Sequence, residues 1–447
     1  MVPTTPSPAK RKAPEFGLRW EFKPTAVAEP YDLTVRADEE IRSGDCDVDH
    51  MLVQGDNLHA LWALYDQLVG QVDFCYIDPP YNTGHTEATG FAYKDSFRNK
   101  EDRDRHSTWL TFMYERLVLT HALLSRRGVI AISIDDREIH YLRMLCDEIF
   151  GETNCIAQMI VDGGNPKNNA RFISTTHEYL LVYAKDMAHL GKTKTRWRKK
   201  RDGIDLLLAQ YQALKKKHGS DHEAITADLK KWVRTAPLSK RLKVFFNSEP
   251  RGLYTYADLS APGNGARYEV LHPVTGKPCA IPSRGWGLTQ EKLQALRDDE
   301  LVLFGKDETF QPMRKLFLKE ENDQVERSII AYPSRTPTHL IEKMLGRRNA
   351  FNNPKNLDFI SDIIRLMCPE DGLVLDYFAG SGTTGHAVLM LNAESPSSRR
   401  RFVLATNNEN NIYTEVCYPR LRAAITGEWL NGTKHKGLGG NLTTYNA

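Results

Sequence analysis

The 447-residue chain is 41% hydrophobic and 26% charged, enough apolar surface to bury an ordinary core in two or three packed units. No apolar run approaches the roughly 20 residues that cross a bilayer, and the N-terminus lacks the apolar centre of a secretion signal, so neither a membrane partner nor export is expected. The formal charge of +3 is too small to indicate a polyanionic partner by itself, and the seven cysteines (46, 75, 146, 155, 279, 368, 417) form no Cys-x-x-Cys pair or His/Cys cluster, which points to reduced thiols in a cytoplasm and to no metal.

Residues 1–16, with four prolines and Lys10-Arg11-Lys12, read as a disordered lead-in. From Met51 an α/β alternation begins. Met51–Val53 is a short strand, Gly55-Asp56-Asn57 a turn, Leu58–Leu68 an apolar-periodic helix and Val72–Ile77 the next strand. A polar loop over 82–106 leads to a helix at Trp109–Leu124, a strand at Gly128–Ile134, a helix at Arg137–Phe150 and a strand at His177–Tyr183. That rhythm breaks over 191–330. There, Asp202–Lys217 and Asp221–Val233 read as a helical hairpin, the second helix opened by Ser220 with Glu223 three later, a capping-box spacing. Leu253–Trp286 reads as hairpins and loops with a strand at Ala266–Leu271. Helix returns at Asn356–Cys368, followed by a strand at Leu373–Leu375, a glycine turn, a helix at Thr383–Leu391 and a strand at Phe402–Ala405.

Two turns carry the chemistry. In Asp78-Pro79-Pro80-Tyr81 each residue before a proline is pushed toward extended geometry and neither proline offers an N–H. The Asp78 carboxylate and the Pro79 carbonyl can then face one donor group together. An aromatic amine is a poor nucleophile because its lone pair is delocalised; two acceptors on its N–H bonds draw the nitrogen toward tetrahedral geometry and aim the lone pair at an incoming methyl. Tyr81 supplies a stacking face worth about 1–3 kcal/mol toward the few kcal/mol that extruding a base from a duplex costs. The alternative is a stiff turn that merely ends a strand.

The second turn, Asp376 to Thr383, follows Leu373-Val374-Leu375 and opens a helix. This is the context in which glycines, here Gly380 and Gly382 around Ser381, let backbone approach an anion, the carboxylate of a nucleoside cofactor. The Lys-Ser/Thr that ends a nucleotide-triphosphate loop is missing, since Thr384-Gly385-His386 follows. Glu409, at the end of the next strand, can hold ribose hydroxyls. Thr383 and Thr384 can instead cap the helix, and Phe378 can contact the cofactor or pack on the sheet.

Together these segments resemble the permuted subgroup of S-adenosylmethionine-dependent DNA amino-methyltransferases, in which the catalytic motif precedes the cofactor motif, and most of all the modification subunits of type III restriction systems. The resemblance runs from about Met51 to the C-terminus and rests on Gly55-Asp56-Asn57-Leu58, Asp78 to Gly84, Ile132-Ser133-Ile134-Asp135-Asp136, His177 to Tyr183, Asn353-Pro354-Lys355, Asp376 to Thr384 and Gly437 to Leu442. It implies a Rossmann-like methyltransferase core with an inserted target-recognition domain: a lead-in to 48, a catalytic half over 49–190, the insertion over 191–330 and a cofactor half over 331–447. It also implies adenine N6 as the target, a base pocket at Asp78 and Tyr81, and Asp376, Gly380 and Gly382 at the cofactor's methionine end. Glu409 takes its ribose, Asp56 meets its adenine edge or simply caps the following helix, and Asn353–Lys355 lie against it from the other side. The family's chains commonly run on past the Gly-Leu-Gly-Gly-Asn-Leu segment, so a further C-terminal element is expected to be missing here.

The insertion is where the positive charge collects. Residues 191–250 hold 16 Lys+Arg against 6 Asp+Glu, a local +10, while the rest of the chain sums to −7. Phosphate neutralisation makes Lys192, Lys194, Arg196, Arg198, Lys199, Lys200 and Arg201 candidate DNA contacts, with Trp197 able to insert or stack; a solvated charged face is the alternative. Arg267, Tyr268, Arg284 and Trp286 are candidate base readers or else buried loop anchors. The reading is a sequence-specific DNA adenine N6-methyltransferase using S-adenosylmethionine, the modification component of a restriction or defence system. Cytosine N4 or RNA methylation, and a recognition subunit guiding a separate nuclease-translocase, are the alternatives. Double-stranded DNA, a second copy of the chain and a restriction or translocase subunit are the expected partners.

Overall fold

The computed structural model describes residues 20, 23–24, 27, 36–44, 48–83, 104–164, 172–201, 203–318, 324–332 and 336–447. The lead-in at 1–16, Cys46, most of the 82–106 loop (including Gly84) and Asp202 lie outside the described residues. The chain divides into two units, one formed by 1–197 with 327–447 and the other by 198–326.

In chain order the first unit begins with β1 (Arg36–Ser43), β2 (Asp49–Gln54), β3 (Val72–Ile77), β4 (Leu124–Ile134), β5 (Cys155–Asp162) and β6 (His177–Ala184). The second unit holds β7 (Asn247–Glu249), β8 (Gly252–Asp258), β9 (Val302–Leu303) and β10 (Met313–Phe317), and the first resumes with β11 (Ile329–Ala331), β12 (Leu373–Asp376), β13 (Arg401–Thr406) and β14 (Gly440–Asn446). The first unit is built on one ten-stranded sheet in the order β1-β14-β2-β13-β12-β3-β4-β6-β5-β11. From β14 to β4 all neighbours are parallel, whereas β1 and β6 run against theirs.

Both faces of this sheet are covered, which is why its central strands read as unbroken apolar runs; all six residues of β3 are buried. Phe74, Tyr76, Val374 and Leu404 pack on one face with helices Leu357–Met367, Thr383–Glu394 and Tyr418–Thr426. Cys75, Ile77, Leu375 and Val403 pack on the other with helices Asn57–Ala63, Arg105–Leu123 and Ile139–Cys146. The adjacent parallel strands β3 and β12 then part company, β3 leading through Arg105–Leu123 to β4 on one side and β12 through Thr383–Glu394 to β13 on the other. A reversal of this kind opens a crevice at the carboxyl ends of the two strands, where open α/β sheets bind ligands.

The second unit pairs helices Ile204–His218 and His222–Thr235 over Leu207, Leu214, Ile225 and Leu229, beside a four-stranded antiparallel sheet in the order β7-β8-β10-β9. Among the described residues no helix is long and apolar enough to cross a membrane.

Several expectations need correction. The helix expected over Leu58–Leu68 breaks at Leu64, which lets Leu61, Leu64 and Leu68 all reach the core. The Arg137–Phe150 helix starts at Ile139 and widens to a π turn at Asp147–Gly151. The cap of the second hairpin helix is Asp221, whose carboxylate accepts from Ala224 N–H, and not Ser220. Ala266–Leu271 is not a strand; only Ala266 and Leu271 make isolated bridges, to Trp286 and Pro278, and the loop is pinned by the Trp286 Nε1–H donating to Tyr268 O at 2.9 Å. Strands β1, β5, β7, β9, β10, β11 and β14 are additional to those expected.

Candidate active site

Asp78 follows β3 directly. The prolines deny the turn local N–H donors, and the buried Trp109 Nε1–H anchors it by donating to Pro80 O at 2.7 Å. Among the described residues nothing donates to the Pro79 carbonyl. Asp78 Oδ1 accepts from the Tyr81 hydroxyl at 2.8 Å and lies 3.1 Å from Lys355 Nζ. Lys355 also donates to Tyr81 Oη at 2.6 Å and to Glu178 Oε2 at 2.7 Å, with its ammonium 5.1 Å from the Tyr81 ring centroid. Burial pushes the Asp78 carboxyl up while Lys355 pulls it down, leaving it above the ordinary carboxylate value. Burial opposes the Lys355 charge, but Asp78 and Glu178 outweigh it and hold the ammonium well above its usual range.

Behind the turn, Asn82 is buried in a left-handed conformation (φ 54°) and donates to Glu138 Oε1 at 2.7 Å. His106 Nδ1 lies 2.8 Å from the same oxygen. Burial pushes the Glu138 carboxyl up to about 8. Asp78 is thus mounted on a loop fixed from below by Trp109 and Glu138.

The turn after β12 is built differently. Asp376 is buried and both its oxygens are engaged, Oδ1 by Phe378 N–H at 3.0 Å and Oδ2 by the Thr384 hydroxyl at 2.6 Å. Burial raises it to about 7 against those bonds. Gly380 and Gly382 adopt φ of 51° and 76°, which a side chain rarely tolerates, and a Cβ on Gly382 would come within 3.1 Å of Cys417 Sγ. Arg420, buried on helix Tyr418–Thr426, donates through Nη1 to Ser381 Oγ at 3.0 Å and to Thr383 Oγ1 at 2.7 Å.

The two turns share a cleft of about 760 Å³, with Asp78, Pro80, Phe112, Phe378 and Gly380 in its wall and Asp56, Asn57, Asn407 and Glu409 around it. A smaller pocket of about 410 Å³ shares Asp78, Phe378 and Gly380 with it and adds Asn353, Lys355, Asp376, Ser381 and Thr383. The Phe112 and Phe378 ring centroids are 5.9 Å apart. Arg116, buried, donates to Asn57 Oδ1 at 2.7 Å, lies 3.7 Å from Asp56 Oδ2 and stacks on Phe112, so it braces the cleft's acidic corner.

The family model described as DNA methylase matches residues 72–413, more than three quarters of the chain. The chain belongs to the DNA methylase family. It is 30% identical over 407 residues to the type III restriction-modification enzyme EcoP15I Mod subunit of Escherichia coli, covering 84% of this chain and 60% of that subunit. It is 33% identical over 370 residues to the type II methyltransferase M.KpnI of Klebsiella pneumoniae, covering 79% of this chain and 80% of that enzyme. The chain spans about 60% of the length of the E. coli subunit it matches. Among solved structures, M1.HpyAVI in complex with SAM aligns with 83% of this chain and 100% of its own, at 15% identity and a TM-score of 0.35.

Of the residues expected in this DNA methylase site, Asp78 and Pro80 meet Asp56, Phe378, Gly380 and Glu409 in the larger cleft, and Asp376, Ser381 and Thr383 in the smaller. Pro79, Tyr81 and Gly382 line neither. Gly382 is a packing residue of the turn, and the Tyr81 hydroxyl is taken up by Asp78 and Glu178. Asp56 does cap its helix, accepting from Leu58 and His59 N–H, and its side chain is still half exposed to the cleft. Neither Thr383 nor Thr384 caps its helix, because Arg420 and Asp376 claim their hydroxyls. Glu178, Arg116, Phe112 and Arg420 escaped sequence reasoning; each sits in an ordinary-looking strand or helix, and only the fold places Phe112 in the cleft wall and the other three against residues that line it.

In the basic run, Lys192, Lys194, Arg196, Arg198 and Lys200 are exposed, Lys199 and Arg201 are half-buried, and Lys199 lies 3.6 Å from Glu326. Trp197 packs against the core of the first unit and so is not available to insert into a ligand. Arg267 and Arg284 are exposed, whereas Trp286 is buried and Tyr268 is half-buried, its hydroxyl donating to Leu288 O, so both serve as loop anchors.

Proposed function

We propose that the chain is a DNA adenine N6-methyltransferase that uses S-adenosylmethionine and serves as the modification component of a restriction system. The observation that carries this reading is the shared cleft at the carboxyl ends of β3 and β12, lined by Asp78 and by the Asp376–Thr383 turn. The residues fit the cofactor: the Phe112 and Phe378 rings suit a purine, the exposed Asp56 and Glu409 carboxylates suit its amine and ribose hydroxyls, and the glycine turn with its Arg420-held hydroxyls suits a carboxylate. Bound there, S-adenosylmethionine supplies an electrophilic sulfonium methyl.

Asp78 and the Pro79 carbonyl accept the two N–H bonds of the target amine and orient its lone pair. An amine that had taken up the methyl would carry one proton too many, and Asp78, which accepts one of its N–H bonds, would take that proton and pass it to solvent. Tyr81, freed from Asp78, stacks on the extruded base. Lys355 fills the amine's place beside Asp78 until the base arrives, with Glu178 as the acceptor to which it withdraws. The second unit is the target-recognition domain, and the exposed basic residues from Lys192 to Lys200, with Arg267 and Arg284, contact DNA phosphates and bases. The likeness to a type III Mod subunit supports pairing with a separate restriction or translocase subunit.

Incubation with DNA and methyl-labelled S-adenosylmethionine, followed by nucleoside identification, tests the reading. N6-methyl-2′-deoxyadenosine is expected; N4-methyl-2′-deoxycytidine overturns the base assignment, and no label on DNA overturns the activity.

A further inference from the structure

Arg420 is 1% exposed, and among the described residues no carboxylate pairs with it. Its donors go to Ser381 O at 3.2 Å, to the Ser381 and Thr383 hydroxyls and, weakly, to His386 Nδ1 at 3.4 Å. Burial, with Arg420 adding to it, pushes His386 down to about 3, so His386 is neutral, and burial pushes Arg420 itself down only to about 10, so it stays charged. The nearby acid, Asp376, is already consumed by Phe378 N–H and Thr384. A buried cation without a counter-ion is costly, and an anion brought close to it would offset that cost.

The hydroxyls that Arg420 grips are the ones that line the smaller pocket beside Gly380. A hydroxyl oxygen that accepts from a guanidinium is left with its own proton to give. Ser381 and Thr383 are 3.3 Å apart, so even if one proton bridges between them the other is free to point into the pocket. Cation and hydroxyls together form a short relay that delivers positive potential to one spot.

We propose that Arg420 is the positioning residue for the carboxylate of the cofactor's methionine moiety, acting through Ser381 and Thr383. This rests on the S-adenosylmethionine reading above. It assigns the anion's charge balance to a helix 37 residues beyond the glycine turn, between Thr383 and Arg420.

The test is calorimetric binding of two nucleosides, S-adenosylhomocysteine, which carries the amino-acid tail, and 5′-methylthioadenosine, which lacks it. For Arg420→Met the affinity for the first should fall at least about tenfold while that for the second changes less than about twofold, and Arg420→Lys should recover part of the loss. Equal losses for both nucleosides, or no loss for the first, overturn the proposal. If Arg420→Met fails to fold by circular dichroism, the Ser381→Ala/Thr383→Val double variant should show the same selective loss, and an unselective or absent one overturns it. Wild-type protein that binds neither nucleoside removes the cofactor reading as a whole, whereas wild-type binding with an unselective variant removes Arg420 alone.

Discussion

Asp78 and Asp376 occupy equivalent places, each at the carboxyl end of a parallel strand and the strands side by side, yet their surroundings give them opposite work. Asp376 is buried, and its two oxygens are spent inside its own turn, on Phe378 N–H and the Thr384 hydroxyl. Asp78 stands before two prolines that offer it no N–H, and its partners are side chains, Tyr81 of its own turn and Lys355 from a distant segment. One carboxylate shapes a loop; the other, in the function proposed above, is the one that meets the ligand. A residue type at a strand end is therefore no guide to its role until its hydrogen bonds are counted.

The comparison breaks most visibly at Asp78. Asp78→Ala is expected to lower methyl transfer by about 10³-fold or more, with S-adenosylhomocysteine affinity within about twofold of wild type. A variant that keeps a tenth of the rate would take Asp78 out of the mechanism. Asp376→Ala should do the reverse, costing about 2 kcal/mol of stability by stranding a buried N–H and hydroxyl, and weakening the nucleoside as its turn loosens. An unchanged urea midpoint would contradict the shaping role.

Glu409→Ala sharpens the contrast from the cofactor side. Glu409 is exposed and lines the cleft, so about a tenfold weaker nucleoside affinity is expected with no change in the urea midpoint. Unchanged affinity would refute the ribose assignment.

The smallest effect concerns the support behind Asp78. The Glu138 carboxyl is raised by burial from 4.5 to about 8, so the stability it contributes is fully present below 4.5 and is lost as pH rises through about 8. Between about pH 5 and pH 8.5, the urea midpoint of the wild type should fall, and Glu138→Gln should flatten that fall and exceed wild type at the upper end. Parallel pH curves for the two proteins would show that Glu138 does not titrate in this window.

The six-residue core strand Val72–Ile77 was legible because burial on both faces demands an unbroken apolar run, and the glycine turn because Gly380 and Gly382 permit positive φ. The strand Gly440–Asn446 was not, since its threonines and asparagines carry no apolar pattern and it is held between β1 and β2 by pairing with both. The same limit hid Glu178, which lies in a plain strand 100 residues from Asp78, and displaced the second hairpin cap by one residue.

By itself the sequence determined the local matters: the proline-stiffened Asp78 turn, the glycine turn after β12 and the two-period or helical patterning of the strands and helices between them. These depend on φ restriction and side-chain spacing, which act over a few residues. Only the tertiary structure decided that Lys355 bridges Asp78 and Glu178, that Asp376 is spent on its own loop, and that Arg420, with no carboxylate partner among the described residues, lies beneath Ser381 and Thr383. Electrostatic partnership falls off with distance in space and not along the chain, so it becomes readable once the sheet has brought its strand ends together.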